Sequence, residues 1–166
     1  MLDNRWDRTV ETENGTILGE QQKYWIKEAL LYSRAPFKFV CIGGQVLNTA
    51  KVYENFANYE AERNEILQFI DDYNIKGVVF ITGDRHHSEI SKLVTDKGNI
   101  IYDVTSSAIT SGTGPHEEPN PLRVPGSMIG VRNFAKFKVS GERKNRKLSV
   151  EFKNSKGEKL FEYELK

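Results

Sequence analysis

The residues best suited to chemistry lie together in Gly83-Asp84-Arg85-His86-His87, directly after the apolar run Val78-Val79-Phe80-Ile81-Thr82. Asp84 and His86 are one residue apart, so an extended turn lets a carboxylate and an imidazole reach the same region. Those are donors that a divalent or ferric ion accepts. Arg85 between them carries the planar fork that matches a phosphate oxygen pair. Two of the three histidines of the chain are adjacent here. Gly83 offers an exit from the strand without a Cβ penalty. The same residues also suit an ordinary polar loop: an Asp after a strand often caps a following helix. On residue types alone, the metal reading and the polar-loop reading both stand.

The elements that must position this cluster follow from periodicity. Leu18, Trp25, Ile26, Ala29 and Leu30 recur at helical spacing, which predicts a helix over 20–33 stopped by Pro36. Residues 37–42 form a nearly continuous apolar run, read as a strand buried on both faces. A polar loop follows, then a second helix over about 59–73 with Ile66, Phe69, Ile70 and Tyr73 on one stripe. Val78–Thr82 is the strongest strand signal, 88–94 reads as a short helix, and 99–105 as a third strand. Alternation of this kind predicts an α/β fold with a largely parallel sheet and helices on its faces. Residues 106–130 hold four of the five prolines and read as a long loop of functional or irregular character. Phe137 and Val139, then Leu148, Val150 and Phe152, then Phe161, Tyr163 and Leu165 alternate with polar residues and predict an antiparallel C-terminal extension of three strands. Trp6 and Trp25 read as core residues.

In open α/β sheets, ligands bind beyond the carboxyl ends of the strands. The three parallel strands end in Gly43-Gly44-Gln45, in the 83–87 cluster and in Thr105-Ser106-Ser107, so one sheet edge gathers an amide, a carboxylate, an arginine, imidazoles and hydroxyls. His116-Glu117-Glu118 adds ligand-type residues in the Pro-rich loop, where simple exposure is the commoner outcome.

The remaining composition excludes more than it asserts. The 166 residues suit one domain over 1–166. Twenty-four basic residues against 23 acidic ones leave a formal charge of +1. No nucleic acid or acidic membrane partner is called for. One cysteine, Cys41, rules out an internal disulfide. There is no Walker motif, nucleophile elbow, CxxC or zinc-finger spacing, no transmembrane-length apolar run and no signal-peptide core.

The string Phe80-Ile81-Thr82-Gly83-Asp84-Arg85-His86-His87-Ser88 resembles the late metal-site motif of the alkaline phosphatase D (PhoD-like) family, a branch of the calcineurin-like metallophosphoesterases. Leu2-Asp3-Asn4-Arg5 resembles the family's Leu-Asp-Thr-Arg segment, and Leu18-Gly19-Glu20-Gln21-Gln22-Lys23-Tyr24-Trp25 its Leu-Gly-x-x-Gln-x-x-Trp helix. Arg63 falls in its Tyr-x-x-x-Arg pattern. Ser106–Gly112 and Arg132-Asn133-Phe134 are similar to later segments.

The resemblance implies hydrolysis of phosphate mono- or diesters by water activated between two divalent or ferric metal ions. It implies metal-site roles for Asp84 and His86, and catalytic places for Gln45 and Arg85 in the wall of a phosphate pocket. His87 is a further catalytic candidate, at a position where the family varies. It also implies a compartment outside the cytoplasm for many members, which this chain neither supports nor opposes.

One departure matters. Calcineurin-like enzymes carry further Asp-x-His, Gly-Asp and Gly-Asn-His motifs upstream, and here the only Asp-x-His is Asp84 to His86 itself. The expectation is therefore the C-terminal part of a phosphatase domain: a partial α/β sandwich, weakly active or inactive alone. The alternative is a binding or interaction module that keeps the fold without the chemistry. A half-sandwich exposes sheet surface that the other half covers, which predicts self-association. Light scattering checks this: species heavier than a monomer are expected, and a clean monomer at high concentration contradicts it.

Overall fold

The computed structural model describes residues 1–12, 14–114 and 118–166. Its elements are α1 (Gly19–Tyr32), β1 (Lys38–Cys41), α2 (Glu60–Asp72), β2 (Val78–Thr82), β3 (Glu89–Val94), β4 (Ile100–Thr105), β5 (Asn133–Ser140), β6 (Lys147–Asn154) and β7 (Lys159–Leu165), with a 3-10 turn at Phe56–Tyr59 leading into α2. The first sheet has the order β1-β2-β4-β3. Its first three strands are parallel, and β3 runs antiparallel to β4. The second sheet is the antiparallel meander β5-β6-β7.

Side chains that alternate along β2 explain why the first sheet is covered twice. Val78 and Phe80 point into a core shared with Ile26 and Leu30 of α1 and with Ile66, Leu67 and Ile70 of α2. Val79 points the opposite way, into a second core with Tyr102, Val104, Leu148, Val150 and Phe152. This period of two on a strand apolar throughout is what burial on both faces requires. The C-terminal meander is therefore a layer folded across the parallel sheet, giving helices, sheet and sheet in three layers.

Within 88–94, where a short helix is expected, Glu89–Val94 forms a strand. Ile90 is fully buried in the core between the sheets, and Leu93 packs toward the helices. Alternation between two buried faces outweighs the weak local preference for a turn of helix. The Pro-rich stretch after β4 then covers the outer edge of β3. Ile90 and Leu122 accept hydrogen bonds from Val124 and Lys92 at 2.8 Å each, and Ser88 and Ile129 exchange a pair at 3.0 and 2.8 Å. An edge sealed in this way has few ladder groups left to recruit another chain.

β1 sits at the opposite edge. Phe39 is 42% exposed, although its ring meets Phe137 edge-on at 5.4 Å, so this strand is closed on one face only. Leu2 N donates to Cys41 O at 2.8 Å, which lays the N-terminal segment along the end of β1. Trp6 and Trp25 are 87% and 52% exposed, not core. Trp6 lies in the irregular segment before α1, and Trp25 falls beside the buried stripe of Ile26 and Leu30 rather than within it.

Candidate functional site at the strand ends

The turn after β2 alternates in exposure. Asp84 and His86 face solvent, while Arg85 and His87 are buried. The backbone produces this alternation by placing Asp84 and His86 in the left-handed region, at φ 68° and 57°. Such conformations cost energy for residues with a Cβ and are tolerated best by Asp, Asn and His. The sharp exit expected at Gly83 is thus made one and three residues later. Arg85 N closes the turn on Gly83 O at 2.8 Å, and His86 N donates to Ser107 Oγ at 3.0 Å.

Asp84 lines two cavities. One, of about 660 Å3, runs along the ends of β1 and β2 and includes Asn4, Arg5, Gly43, Glu54 and Gly83. The other, of about 340 Å3, is lined by Tyr53, Asp84, Arg85 and His86. Arg5, from the segment Leu2-Asp3-Asn4-Arg5, is a cavity residue that the sequence pattern does not single out. It pairs with Glu54, whose hydrogen bond and charge raise its pKa, and Asp84 adds to that in the same direction.

Gln45 and Arg85, expected in the wall of a phosphate pocket, lie one layer deeper, at 1% and 3% exposed. The hydrogen-bonding capacity of Gln45 is spent inside the protein. Its Nε2 donates to Glu89 Oε1 at 2.7 Å and Thr105 Oγ1 at 2.8 Å, and its Oε1 accepts from Asn48 and Arg85 at 2.9 Å each. Arg85 Nη1 also donates to Asn55 Oδ1 at 2.8 Å, its Nη2 pairs with Glu118, and the Tyr53 ring lies 4.9 Å from the guanidinium.

His87 Nδ1 lies 3.0 Å from Arg85 O; a carbonyl only accepts, so that nitrogen carries the hydrogen. Its Nε2 lies 3.7 Å from Glu89 Oε2. Of the His116-Glu117-Glu118 trio, His116 and Glu117 lie outside the described residues.

Behind this layer are two carboxylates that sequence reasoning missed. Glu89 is fully buried and accepts from Gln45, from Asn120 at 2.9 Å and from Arg123. Burial works against its charge, yet His87 and Arg123 hold its pKa down to about 2. Asp103 accepts from Val46 N at 2.7 Å, Leu47 N at 2.9 Å and Thr82 Oγ1 at 2.7 Å. Burial dominates there and pushes its pKa up to about 6, helped by the charge of Glu89. A lone carboxylate within the apolar run Ile100–Val104 was the available signal for Asp103.

Among the described residues, no three His, Cys, Asp or Glu side chains gather in a way that could hold a metal ion. Asp84 and His86 are donors of the right kind but too few, since protein metal sites of the zinc type take three or four ligands each.

Residues 3–160 match the family described as PhoD-like phosphatase. The chain belongs to that family. Alkaline phosphatase D of Bacillus subtilis (strain 168) is 30% identical over 104 residues, covering 58% of this chain and 17% of that protein. A solved structure titled "Structure of PhoD" superposes with a TM-score of 0.70 at 20% identity, over 92% of this chain and 35% of the other. Membership thus spans nearly the whole chain, the three-layer fold is shared, and the chain spans only a fraction of either relative's length.

Linkage gives the network a pH signature. The pKa of Glu89 is depressed in the fold, so its contribution is present above the unfolded value of 4.5 and lost as pH falls through about 2. Asp103 acts in the opposite sense, its contribution complete below 3.8 and lost as pH rises through about 6. Below pH 3.8 Asp103 no longer opposes the loss, and Glu89 adds its share to the acid slope beside Glu54, Glu65 and Asp71, whose pKa values their partners also lower. Urea unfolding between pH 4.5 and 2 should show a loss of about 3 kcal/mol from this group. Glu89→Gln should reduce the slope by that share and leave the part due to the other paired carboxylates; an unchanged slope would contradict the assignment.

Proposed function

We propose that the strand-end cleft is one wall of a phosphoesterase site, in which Asp84 and His86 present metal ligands and Arg85 meets a phosphate group. The observation that carries this reading is the pair of left-handed residues: the backbone accepts an unfavourable conformation twice in three residues, and both times it turns a metal-ligand side chain outward. In this reading Gln45 and His87 are positioning residues. Gln45 fixes Nη1 of Arg85, and His87 ties the backbone of Arg85 to Glu89. The substrate class is a phosphate mono- or diester, in keeping with membership of a phosphatase family.

The dinuclear centre that the resemblance implies does not fit the described residues alone. One carboxylate and one imidazole cannot hold two ions, so no step of hydrolysis is assigned to the isolated chain. In a longer protein the opposite wall would supply the other ligands, and the ions would then polarise the phosphoryl group and acidify a bound water.

The test combines calorimetric titration with Mn2+ or Zn2+ and assays on p-nitrophenyl phosphate and bis-p-nitrophenyl phosphate. Weak metal binding and little phosphate release are expected from the chain alone. Asp84→Asn and His86→Ala should each weaken the metal about tenfold or more. Two stoichiometric ions with robust turnover would overturn the incomplete-site reading. Metal affinity indifferent to both substitutions would favour a module without chemistry.

A further inference from the structure

Arg85 is held like a guanidinium made ready for an anion. Its side chain is 2% exposed, and Nη1 is fixed by two neutral amide oxygens, Gln45 Oε1 and Asn55 Oδ1, at 2.9 and 2.8 Å. The Tyr53 ring covers one face. Neither amide neutralises the charge, and a buried guanidinium without a counter-charge is strongly unfavourable. The anion seen on Nη2 is Glu118, which arrives from the Pro-rich segment and is the more exposed partner, its side chain 12% accessible. The cavity lined by Tyr53, Asp84, Arg85 and His86 opens beside this pair.

We propose that Glu118 is a built-in anion occupying the phosphate seat on Arg85, and that a phosphate group binds by displacing it. The inference rests on the reading of Arg85 as a phosphate-binding residue. A phosphate oxygen pair offers the guanidinium the same planar, charge-assisted contact that a carboxylate offers. Exchanging one anion for another keeps the buried charge paired throughout, whereas a neutral ligand would strand it. The seat therefore selects for anions, and Glu118 sets the affinity a phosphate must exceed. Asp84 lines the same cavity and repels an incoming anion, so the effect of Glu118 is read as a difference between chains that both keep Asp84.

The experiment measures binding of inorganic phosphate to the whole chain by calorimetry, and the thermal midpoint with phosphate or with chloride at matched ionic strength. Glu118→Gln should bind phosphate about tenfold or more tightly than the unaltered chain. Its midpoint should rise with phosphate and not with chloride, by linkage to the folded state. Adding Arg85→Gln should abolish both effects.

Equal affinity with and without Glu118, lost on Arg85→Gln, would overturn the displacement while leaving Arg85 as a phosphate ligand. Binding that survives Arg85→Gln, or no binding by any chain, would overturn the reading of Arg85 and this inference with it. Should Glu118→Gln unfold, Glu118→Asp keeps the charge and shortens its reach; tighter phosphate binding is again expected, and unchanged affinity counts against the proposal.

Discussion

Glu89, a carboxylate with no access to water, organises the ends of three strands. An ionised group so placed must have its lone pairs met from within, and Gln45, Asn120 and Arg123 meet them, with His87 close by. Those four partners come from three segments: Gln45 from the loop after β1, Asn120 and Arg123 from the Pro-rich stretch before β5, and His87 from the turn after β2. Satisfying one charge therefore fixes three otherwise independent loops. Because the interactions are buried and shared, they act as a network, and removing a single member leaves the others with unmet polar groups.

Two layers result. The inner one, Gln45, His87 and Glu89, is engaged within the protein and sets geometry; Arg85 joins it through Nη1, while its Nη2 meets Glu118. The outer one, Asp84 and His86, is exposed and turned toward the cleft. Such a division suits a site that needs side chains held without side chains consumed: ligands are free because the residues between them are not. The cleft itself runs along the ends of β1 and β2, where Leu2 binds the end of β1 and brings Arg5 to the cavity.

Much of this frame was legible in the residues. β2 matches its expected span, both helices begin and end within two residues of their periodic signals, and the three C-terminal strands follow their alternation. These are segments whose pattern reflects a single dominant partner surface. β3 was not legible, because Ser88–Val94 carries no clear period and becomes a strand only where β4 and the second sheet offer it partners. Trp6 and Trp25 stand out of the core because aromatic size alone does not dictate burial. The outer pair Asp84 and His86 could be read from residue type and position at a strand end. Glu89, Asn55, Asn120 and Glu118 could not, since their importance lies in contacts spanning about thirty or more residues of chain.

The central claim is that the outward pair after β2 is where a metal meets this chain. It is tested most directly by nitrogen-15 NMR of the chain titrated with Mn2+, whose unpaired electrons broaden nearby amide signals. Broadening should begin at residues 83–87, spread to the neighbouring Gly43 and Tyr53, and spare the β5–β7 meander. Broadening that starts at exposed acidic residues elsewhere, with 83–87 left sharp, would contradict it.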